Sequence, residues 1–310
     1  MAIRYGTHAS ANKEAEFIHA ELAEEVQAGH VAVFPLEVFT DLQNLCLSPI
    51  TTIPQVGRRP RLIFDFTWIR INEIAERLAP MEVMRFGGAL QRILKQVLIV
   101  DPRLGPVYLS KVDLVDAYMR LWVRVEDVPS LAFLISNKTP INTQLVGFHA
   151  SLPMRYINSA LYFFMAAETV ANLANESISQ REQAVGHPLK MVDKARAAKC
   201  AGAPEDQADA IWKHISADQL AATKSNAGVY LDNFISVVQG VPREKRQILR
   251  HLFQKIDRVF RPNEDSDTNC KEPIFLKKLG KGDGEWSTWK TVIGWYLYTI
   301  ARLLCLPPRR

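Results

Sequence analysis

Residues 109–123 read LSKVDLVDAYMRLWV, and every other part of the chain is interpreted around this stretch. It begins as an apolar strand, places Asp113 at the end of that strand, and turns before a second apolar run at residues 121–123. A carboxylate at the end of a buried strand can hold a cation, because the strand fixes the side chain and hard cations prefer oxygen ligands. The alternative is a solvated strand cap, so Asp113 indicates chemistry only together with a second acid. The best candidate is Asp232, in the Tyr-Leu-Asp-Asn sequence of residues 230–233.

Length and composition are those of an ordinary globular protein. The 310 residues suit one large domain or two small ones, and the 48% apolar and 23% charged residues argue against wholesale disorder. There is no run of about 18 apolar residues that could span a membrane, and the first residues lack the apolar core of a signal peptide. The four cysteines stand far apart, which argues against a zinc knuckle or a disulfide framework. We therefore expect an intracellular protein, in the cytoplasm or the nucleus, that is not secreted.

Charge is unevenly distributed along the chain, whose net charge is +5. Residues 1–50 hold two basic and seven acidic side chains, residues 51–108 hold nine and five, and residues 241–310 hold fifteen and eight. Two basic segments in one chain are typical of a protein with a polyanionic partner. A solvated surface is the alternative, because phosphate binding needs charges that cluster in space and not only in sequence.

The remaining segments predict a mixed α+β chain with a definite order of elements. Apolar residues at helical or strand-like spacing, with Gly, Pro and Asn at the breaks, locate each element. In chain order the segments are a basic turn and strand at 58–66, a buried helix near 81–99, the strand and turn described above, a hairpin across 131–148, a Leu-Pro loop at 152–153 followed by a helix, polar surface helices within 176–226, a second hairpin at 229–238, and an amphipathic helix from Pro242 to about Phe260.

The second hairpin carries the partner acid. Residues 229–238 form two apolar runs with Asp232 and Asn233 at the turn between them, a position that Asx residues tolerate. A plain hairpin without chemistry is therefore the alternative. The motifs Gly-x-Ser-x-Gly, His-Glu-x-x-His and Cys-x-x-Cys do not occur, and the glycine-rich residues 280–284 lack the Gly-Lys-Ser/Thr ending of a phosphate loop.

With this order of elements, the chain resembles a reverse transcriptase (RNA-directed DNA polymerase) of gypsy-like and tyrosine-recombinase-type retrotransposons. The resemblance runs from about residue 48 to residue 300. Residues 111–118, KVDLVDAY, are similar to the first polymerase aspartate motif, and residues 230–233, YLDN, are similar to the Tyr-x-Asp-Asp box with one change. The resemblance implies an α+β fold, a right-hand polymerase with palm and fingers, in which an antiparallel palm sheet packs on helices.

The resemblance also implies a division of the chain into domains. The segments are an N-terminal helix and connector at 1–47, fingers at 48–108, palm with the first aspartate motif at 109–125, a fingers hairpin at 126–150, palm at 151–262 with a helical insertion at about 176–226, and a primer-grip-like segment at 263–310. A chain of this length leaves no room for a full thumb, an RNase H domain or an integrase. We therefore expect a truncated or degenerate retroelement copy.

Three groups of site residues follow from the resemblance. Asp113 and Asp232 would be the catalytic acids and would hold two Mg²⁺ ions with the backbone carbonyl of Leu114, while Asn233 stands in the box position of a further acid. The residues that would contact the incoming nucleotide are Arg59, Arg61, Asp116, Ala117, Tyr118, Met154 and Arg155, and those of the primer grip are Gly294 and Trp295. Among them, Tyr118 would be the steric gate against a 2′ hydroxyl, and the arginines at 59 and 61 would grip the triphosphate.

The implied chemistry is nucleotidyl transfer by a two-metal mechanism. One Mg²⁺ ion would lower the pKa of the primer 3′ hydroxyl, and the other would neutralise the triphosphate and its leaving group. The implied partners are an RNA or DNA template-primer and deoxynucleoside triphosphates, with no membrane.

Two departures from the family pattern lead us to expect impaired activity. Asn233 removes one negative charge beside the metals, and Arg155 replaces a glycine that lets backbone approach the nucleotide. The alternative function is a non-catalytic nucleic-acid-binding remnant of a retroelement, which uses the arginines near residues 58–61 and 243–261. A globular fragment without function is a third interpretation.

Overall fold

The computed structural model describes residues 6–39, 41–42, 44–75, 88–135, 144–187, 225–239, 242–261 and 272–307. Several sequence predictions lie outside these ranges. They are the helical insertion over residues 188–224, the turn at 137–140 of the first hairpin, and the start of the helix at 81–87.

The described residues form a mixed α+β structure, as predicted. The helices in these ranges are α1 (Ala9–Lys13), α2 (Ala15–Gln27), α3 (Ile71–Ile74), α4 (Ala89–Ile99), α5 (Ser159–Ser179), α6 (Pro242–Phe260) and α7 (Leu276–Gly280). The strands are β1 (Val31–Pro35), β2 (Leu47–Ser48), β3 (Ile50–Gln55), β4 (Arg58–Phe64), β5 (Tyr108–Asp113), β6 (Ala132–Leu134), β7 (Leu145–His149), β8 (Ser225–Tyr230), β9 (Asn233–Val238), β10 (Trp289–Val292), β11 (Trp295–Tyr298) and β12 (Leu303–Cys305). None of the helices in the described ranges combines the length and the apolarity that crossing a membrane requires.

The chain divides into two compact units, each made of two segments. The first unit is Met1–Pro80 with Asp116–Phe163, and the second is Met81–Val115 with Phe164–Arg310. The domain boundaries that the resemblance implies remain predictions.

The first unit contains a four-stranded sheet and a separate hairpin. The sheet has the order β1-β7-β6-β2, in which β2 and β6 run parallel and the other neighbours antiparallel. Strands β3 and β4 form the hairpin. The ring of Phe133 on β6 lies against the backbone of Gly147 on β7, where any Cβ atom would overlap it. This close approach explains why glycine stands in the middle of β7.

The second unit is built around a three-stranded antiparallel sheet of order β5-β9-β8. Its middle strand is buried on both faces, which explains the continuous apolar sequence of β9. On one face Ile235 and Val237 pack with Ile93 and Val97 of α4. On the other face Val238 packs with Ile248 of α6.

Helix α5 caps the open edge of this sheet through one side chain. The Asn175 amide Nδ2 donates to the Ala227 carbonyl on β8 at 2.8 Å, and the Ala227 N–H donates to Asn175 Oδ1 at 2.7 Å. The Asn175 carboxamide thus makes the two hydrogen bonds that a neighbouring strand would make with Ala227. The N–H and the carbonyl of Ala227 are therefore not left unpaired at the edge of the sheet.

Local sequence signals located several elements correctly. Helix α6 spans Pro242–Phe260, as predicted, and α4 begins at Ala89 because Gly88 before it has a left-handed backbone with φ of 63°. The second hairpin is confirmed, with one correction. Its turn residues are Leu231 and Asp232, whereas Asn233 pairs with Tyr230 and belongs to β9.

His149 at the end of β7 is a histidine inside an aromatic cluster. Its side chain is fully buried, with the rings of Phe64 and Phe133 centred 4.4 and 4.9 Å from its own. Neither ring nitrogen has a hydrogen-bond partner among the described residues. Burial lowers the pKa of His149 to about 3, because the charged ring would lose its hydration without gaining a partner.

We expect His149 to make the folded state sensitive to acid. The unfolded chain takes up the proton near pH 6.5 and the folded chain does not, so the free energy of unfolding falls as pH drops from about 6.5 toward 3. Between pH 7 and pH 5 this contribution is about 2 kcal/mol. Urea denaturation of His149→Leu at these two pH values should show a stability loss smaller by that amount.

The matched control for this experiment is His19→Leu, because His19 lies exposed on α2. This variant should keep the wild-type dependence on pH. A His149→Leu protein that loses as much stability on acidification as the wild type would show that the buried histidine is not the cause.

Candidate functional site

The two acidic motifs meet at one end of the three-stranded sheet of the second unit. Asp113 is the last residue of β5 and pairs with Asn233, the first residue of β9. The Leu114 N–H, one residue on, donates to the Asp232 carbonyl at 3.0 Å. Strand pairing therefore brings Asp113, Leu114, Asp232 and Asn233 to the same end of the sheet.

The two carboxylates differ in burial and in hydrogen bonding. The Asp113 side chain is fully buried, and its Oδ1 accepts no hydrogen bond from the described residues. Asp232 Oδ1 accepts a hydrogen bond from Asn233 Nδ2 at 2.7 Å. Burial, and then the negative charge of Asp113, raise the pKa of the Asp232 carboxyl above its ordinary value. The Asn233 side chain thus donates a hydrogen bond to its neighbour Asp232.

Two lysines compensate the charge of Asp113. The Lys278 ammonium donates a hydrogen bond to Asp113 Oδ2. The Lys111 ammonium lies 3.7 Å from Asp113 Oδ1 and equally far from Asp283 Oδ2. Sequence reasoning missed Lys278, and no local signal could have found it, because 165 positions separate it from Asp113.

Residues 273–275 position Lys278 beside Asp113. The Val115 N–H donates to the Pro273 carbonyl, and the Phe275 N–H donates to the Asp113 carbonyl, both at 2.9 Å. Residues 273–275 therefore run antiparallel to residues 113–115. Helix α7 begins at the next residue and carries Lys278.

The following loop covers the rest of the outer edge of β5. The Lys111 N–H donates to the Asp283 carbonyl at 2.9 Å, and Ser110 Oγ donates to the Gly284 carbonyl at 2.8 Å. The Leu109 N–H donates to the Ser287 carbonyl at 2.7 Å. Two of the glycine-rich residues 280–284, Asp283 and Gly284, thus lie against β5 beside the candidate site.

The acids fit a divalent cation with few protein ligands. The orphaned, buried Asp113 Oδ1 and the Asp232 carboxylate are hard oxygen donors of the kind that Mg²⁺ prefers. Across the residues that the structure describes, no group of three or more His, Cys, Asp or Glu side chains is arranged to hold a metal ion. An ion here would have two protein carboxylates and would complete its shell with water or phosphate oxygens.

The residues expected at the nucleotide fall in the first unit. Tyr118 begins a short 3₁₀ turn, with its ring centred 5.3 Å from that of Phe163. Asp116 and Ala117 precede it, and Asp116 has a left-handed backbone with φ of 51°. Arg61 lies exposed on β4.

Arg59, also on β4, already has acidic partners. Its guanidinium donates to the Glu21 carboxylate of α2, and Glu24 of the same helix lies 3.9 Å away. Helix α2 therefore supplies the anions for this arginine.

The loop that carries Met154 and Arg155 is held by one side chain. Asn72 Nδ2 donates to the Arg155 carbonyl at 3.1 Å, and the Ile157 N–H donates to Asn72 Oδ1 at 2.9 Å. Arg155 itself has φ of 78°, a conformation that glycine adopts without cost. The backbone of Arg155 thus has a conformation that favours glycine, although the residue carries a long side chain.

The predicted primer-grip residues lie in a hairpin of the second unit. Val292 on β10 pairs with Trp295 on β11, which leaves Ile293 and Gly294 as the turn. Both have positive φ, 53° and 80°, as a type I′ turn requires.

Relieving the strained backbone at residue 155 should stabilise the protein. A non-glycine residue in the left-handed region costs about 1 kcal/mol, so Arg155→Gly should raise the free energy of unfolding by about that amount. Met154→Gly is the matched control, because Met154 has no positive φ, and it should destabilise. The free energies of unfolding can be measured by denaturant titration. An Arg155→Gly protein that unfolds at a lower denaturant concentration than the wild type would contradict the prediction.

Comparison with known proteins rests on structure alone. No protein-family model matches the chain, and no curated protein matches it in sequence. Among solved structures, the chain is similar to the foamy viral protease-reverse transcriptase in complex with dsDNA, with a TM-score of 0.55 at 12% sequence identity.

The match covers almost all of this chain but less than half of the viral protein. It includes 98% of the residues here and 43% of that chain. At this identity the likeness speaks for the fold and not for the activity. Together with the mixed α+β architecture, it shows that this chain has a reverse-transcriptase-like, and hence polymerase-like, fold.

Proposed function

We propose that this chain is a reverse-transcriptase-like nucleotidyltransferase domain of a retroelement, which binds a template-primer and extends it with deoxynucleoside triphosphates at a reduced rate. The observation that carries the proposal is the meeting of Asp113 and Asp232 at one end of the sheet in a reverse-transcriptase-like fold. The similar viral protein is itself in complex with dsDNA, which supports a nucleic acid as the partner.

In the proposed reaction the primer 3′ hydroxyl attacks the α-phosphorus of the triphosphate. A new P–O bond forms, the hydroxyl proton leaves, and pyrophosphate departs. Mg²⁺ bound by Asp113 and Asp232, with the Leu114 carbonyl as a further ligand, would supply the charge that lowers the hydroxyl pKa and neutralises pyrophosphate. The protein contributes one buried carboxylate, Asp113, and one partly buried carboxylate, Asp232, which strand pairing holds in position before any ligand arrives.

Two residues, Asn233 and Arg155, support the proposed reduction in the rate of synthesis. Asn233 leaves two carboxylates where the family has three, so a second ion would have fewer protein ligands. The Arg155 side chain adds bulk and charge where the family's glycine leaves space for the nucleotide. Tyr118 as steric gate, Arg61 and Arg59 at the triphosphate, Met154 beside the base pair, and Gly294 and Trp295 at the primer are the remaining parts of the proposal.

A second candidate function is nucleic-acid binding without catalysis. It is favoured by the lysine partners of Asp113, because they neutralise the acids that catalysis needs free. It is also favoured by the exposed arginines Arg246 and Arg258 on α6. The Arg243 side chain, which the sequence also indicated, lies outside the described side chains.

Primer extension on an RNA template tests the first proposal. We expect weak synthesis by the wild type and a rise of about 100-fold in the Arg155→Gly/Asn233→Asp variant, because the nucleotide gains space and the metals regain a charge. Asp113→Asn in the improved variant should abolish synthesis. If the doubly substituted protein stays inactive, these two positions are not the defect.

Salt-dependent binding tests the nucleic-acid partner that both candidates share. Binding of a labelled template-primer, followed by fluorescence anisotropy between about 50 and about 200 mM salt, should weaken steeply as salt rises. Replacing Arg246 and Arg258 with Gln should reduce the slope of log K against log salt by about one unit for each phosphate that the protein no longer neutralises.

Arg103→Gln is the control for this measurement. Arg103 is exposed but hydrogen-bonded to Asp101, so its removal should leave the slope unchanged. The absence of binding even at the lowest salt would contradict both functions.

A further inference from the structure

The Asp113 carboxylate already has a cation of the protein's own. Lys278 Nζ contacts Oδ2, and Lys111 Nζ lies 3.7 Å from Oδ1. Asp113 thus has an ammonium group near each of its two oxygens, and its negative charge is compensated before any metal binds. A divalent ion that binds the same carboxylate would be repelled by these ammonium groups, which lowers its affinity.

The two lysines differ in their contacts and in their exposure to solvent. Lys111 is on β5, and its ammonium lies between the carboxylates of Asp113 and Asp283 at 3.7 Å from each. Lys278 is on the short helix α7, its side chain is 44% exposed, and its ammonium has the Phe275 ring 5.1 Å away as its other neighbour. Lys278 has the more exposed side chain of the two, 44% against 23% for Lys111, and is therefore the cation that moves into solvent more readily.

The backbone keeps Lys278 close to Asp113 even when its side chain moves. The hydrogen bonds of Pro273 and Phe275 to residues 113–115 fix the start of α7 beside the end of β5. A lysine tethered in this way has a high local concentration at the carboxylate, and so competes well against a free ion.

We infer that Lys278 is an internal competitor of the divalent metal at Asp113, and that its ammonium must leave the carboxylate before the metal binds tightly. The inference rests on the proposed function, because it assumes that Asp113 is a metal ligand. It assigns to α7, which lies within the predicted primer-grip-like segment, control over metal occupancy of the candidate site.

Mn²⁺ binding to the full chain tests the inference without any measurement of catalysis. The affinity of Mn²⁺ can be measured by electron paramagnetic resonance and by calorimetry. Lys278→Met should bind Mn²⁺ about 10-fold or more tightly than the wild type, because Asp113 is then free of its competing cation. Lys278→Arg keeps the positive charge and should bind as weakly as the wild type.

Lys277→Met is the matched control. It removes the same charge from the neighbouring, exposed position of α7, and should leave the affinity within about twofold of wild type, because surface charges are screened by solvent. An equal gain of Mn²⁺ affinity in Lys277→Met and Lys278→Met would overturn the inference. The gain would then be explained by the change in the net charge of the protein.

Asp113→Asn separates failure of the inference from failure of the proposed function. Tight Mn²⁺ binding in Lys278→Met that disappears when Asp113→Asn is added supports the inference. If wild type and Lys278→Met bind equally and Asp113→Asn weakens both, the inference is overturned while the metal site stands. If Asp113→Asn changes nothing in either protein, Asp113 is not a metal ligand, and both the inference and the two-metal proposal are wrong.

Discussion

The antiparallel pairing of β5 with β9 is the interaction on which the candidate site depends. The register runs from Tyr108↔Val238 to Asp113↔Asn233. A slip of one residue would turn every side chain of β9 to the opposite face. Both faces of β9 are buried, under α4 on one side and α6 on the other, so packing on both sides opposes such a slip. The position of Asp113 is therefore fixed by hydrophobic packing around β9 and not by contacts of its own carboxylate.

Burying Asp113 and partly burying Asp232 at the end of this sheet has an electrostatic cost, which the second unit offsets with its own cations. An isolated buried charge is destabilising by several kcal/mol, which explains why Asp113 has an ammonium on one oxygen and a second one nearby. Asp232 is less fully compensated, and burial beside Asp113 raises its pKa. The same compensation that stabilises the folded chain without a ligand opposes binding of a cation from solution.

Three residues at or next to predicted site positions have a strained backbone. Asp116, Arg155 and Leu231 all have positive φ, of 51°, 78° and 52°, although none of them is glycine. Each such residue costs on the order of 1 kcal/mol and persists only where neighbouring contacts impose it. For Arg155 the imposing contact is the Asn72 carboxamide, and for Leu231 it is the two-residue turn between β8 and β9. At these three positions the tertiary structure imposes a backbone conformation that the side chain does not favour.

Local patterns in the chain predicted several of the elements. The span of α6 and the pairing of β8 with β9 follow from apolar spacing, proline and turn residues, which act over a few residues. The motif resemblance singled out Asp113 and Asp232, and the reverse-transcriptase-like fold agrees with it. Tertiary structure alone revealed Lys278 on Asp113, Asn72 on the Arg155 loop and Glu21 on Arg59. These contacts join positions far apart in the chain. A lysine, an asparagine or a glutamate has the same local sequence pattern whether its side chain contacts solvent or a distant residue.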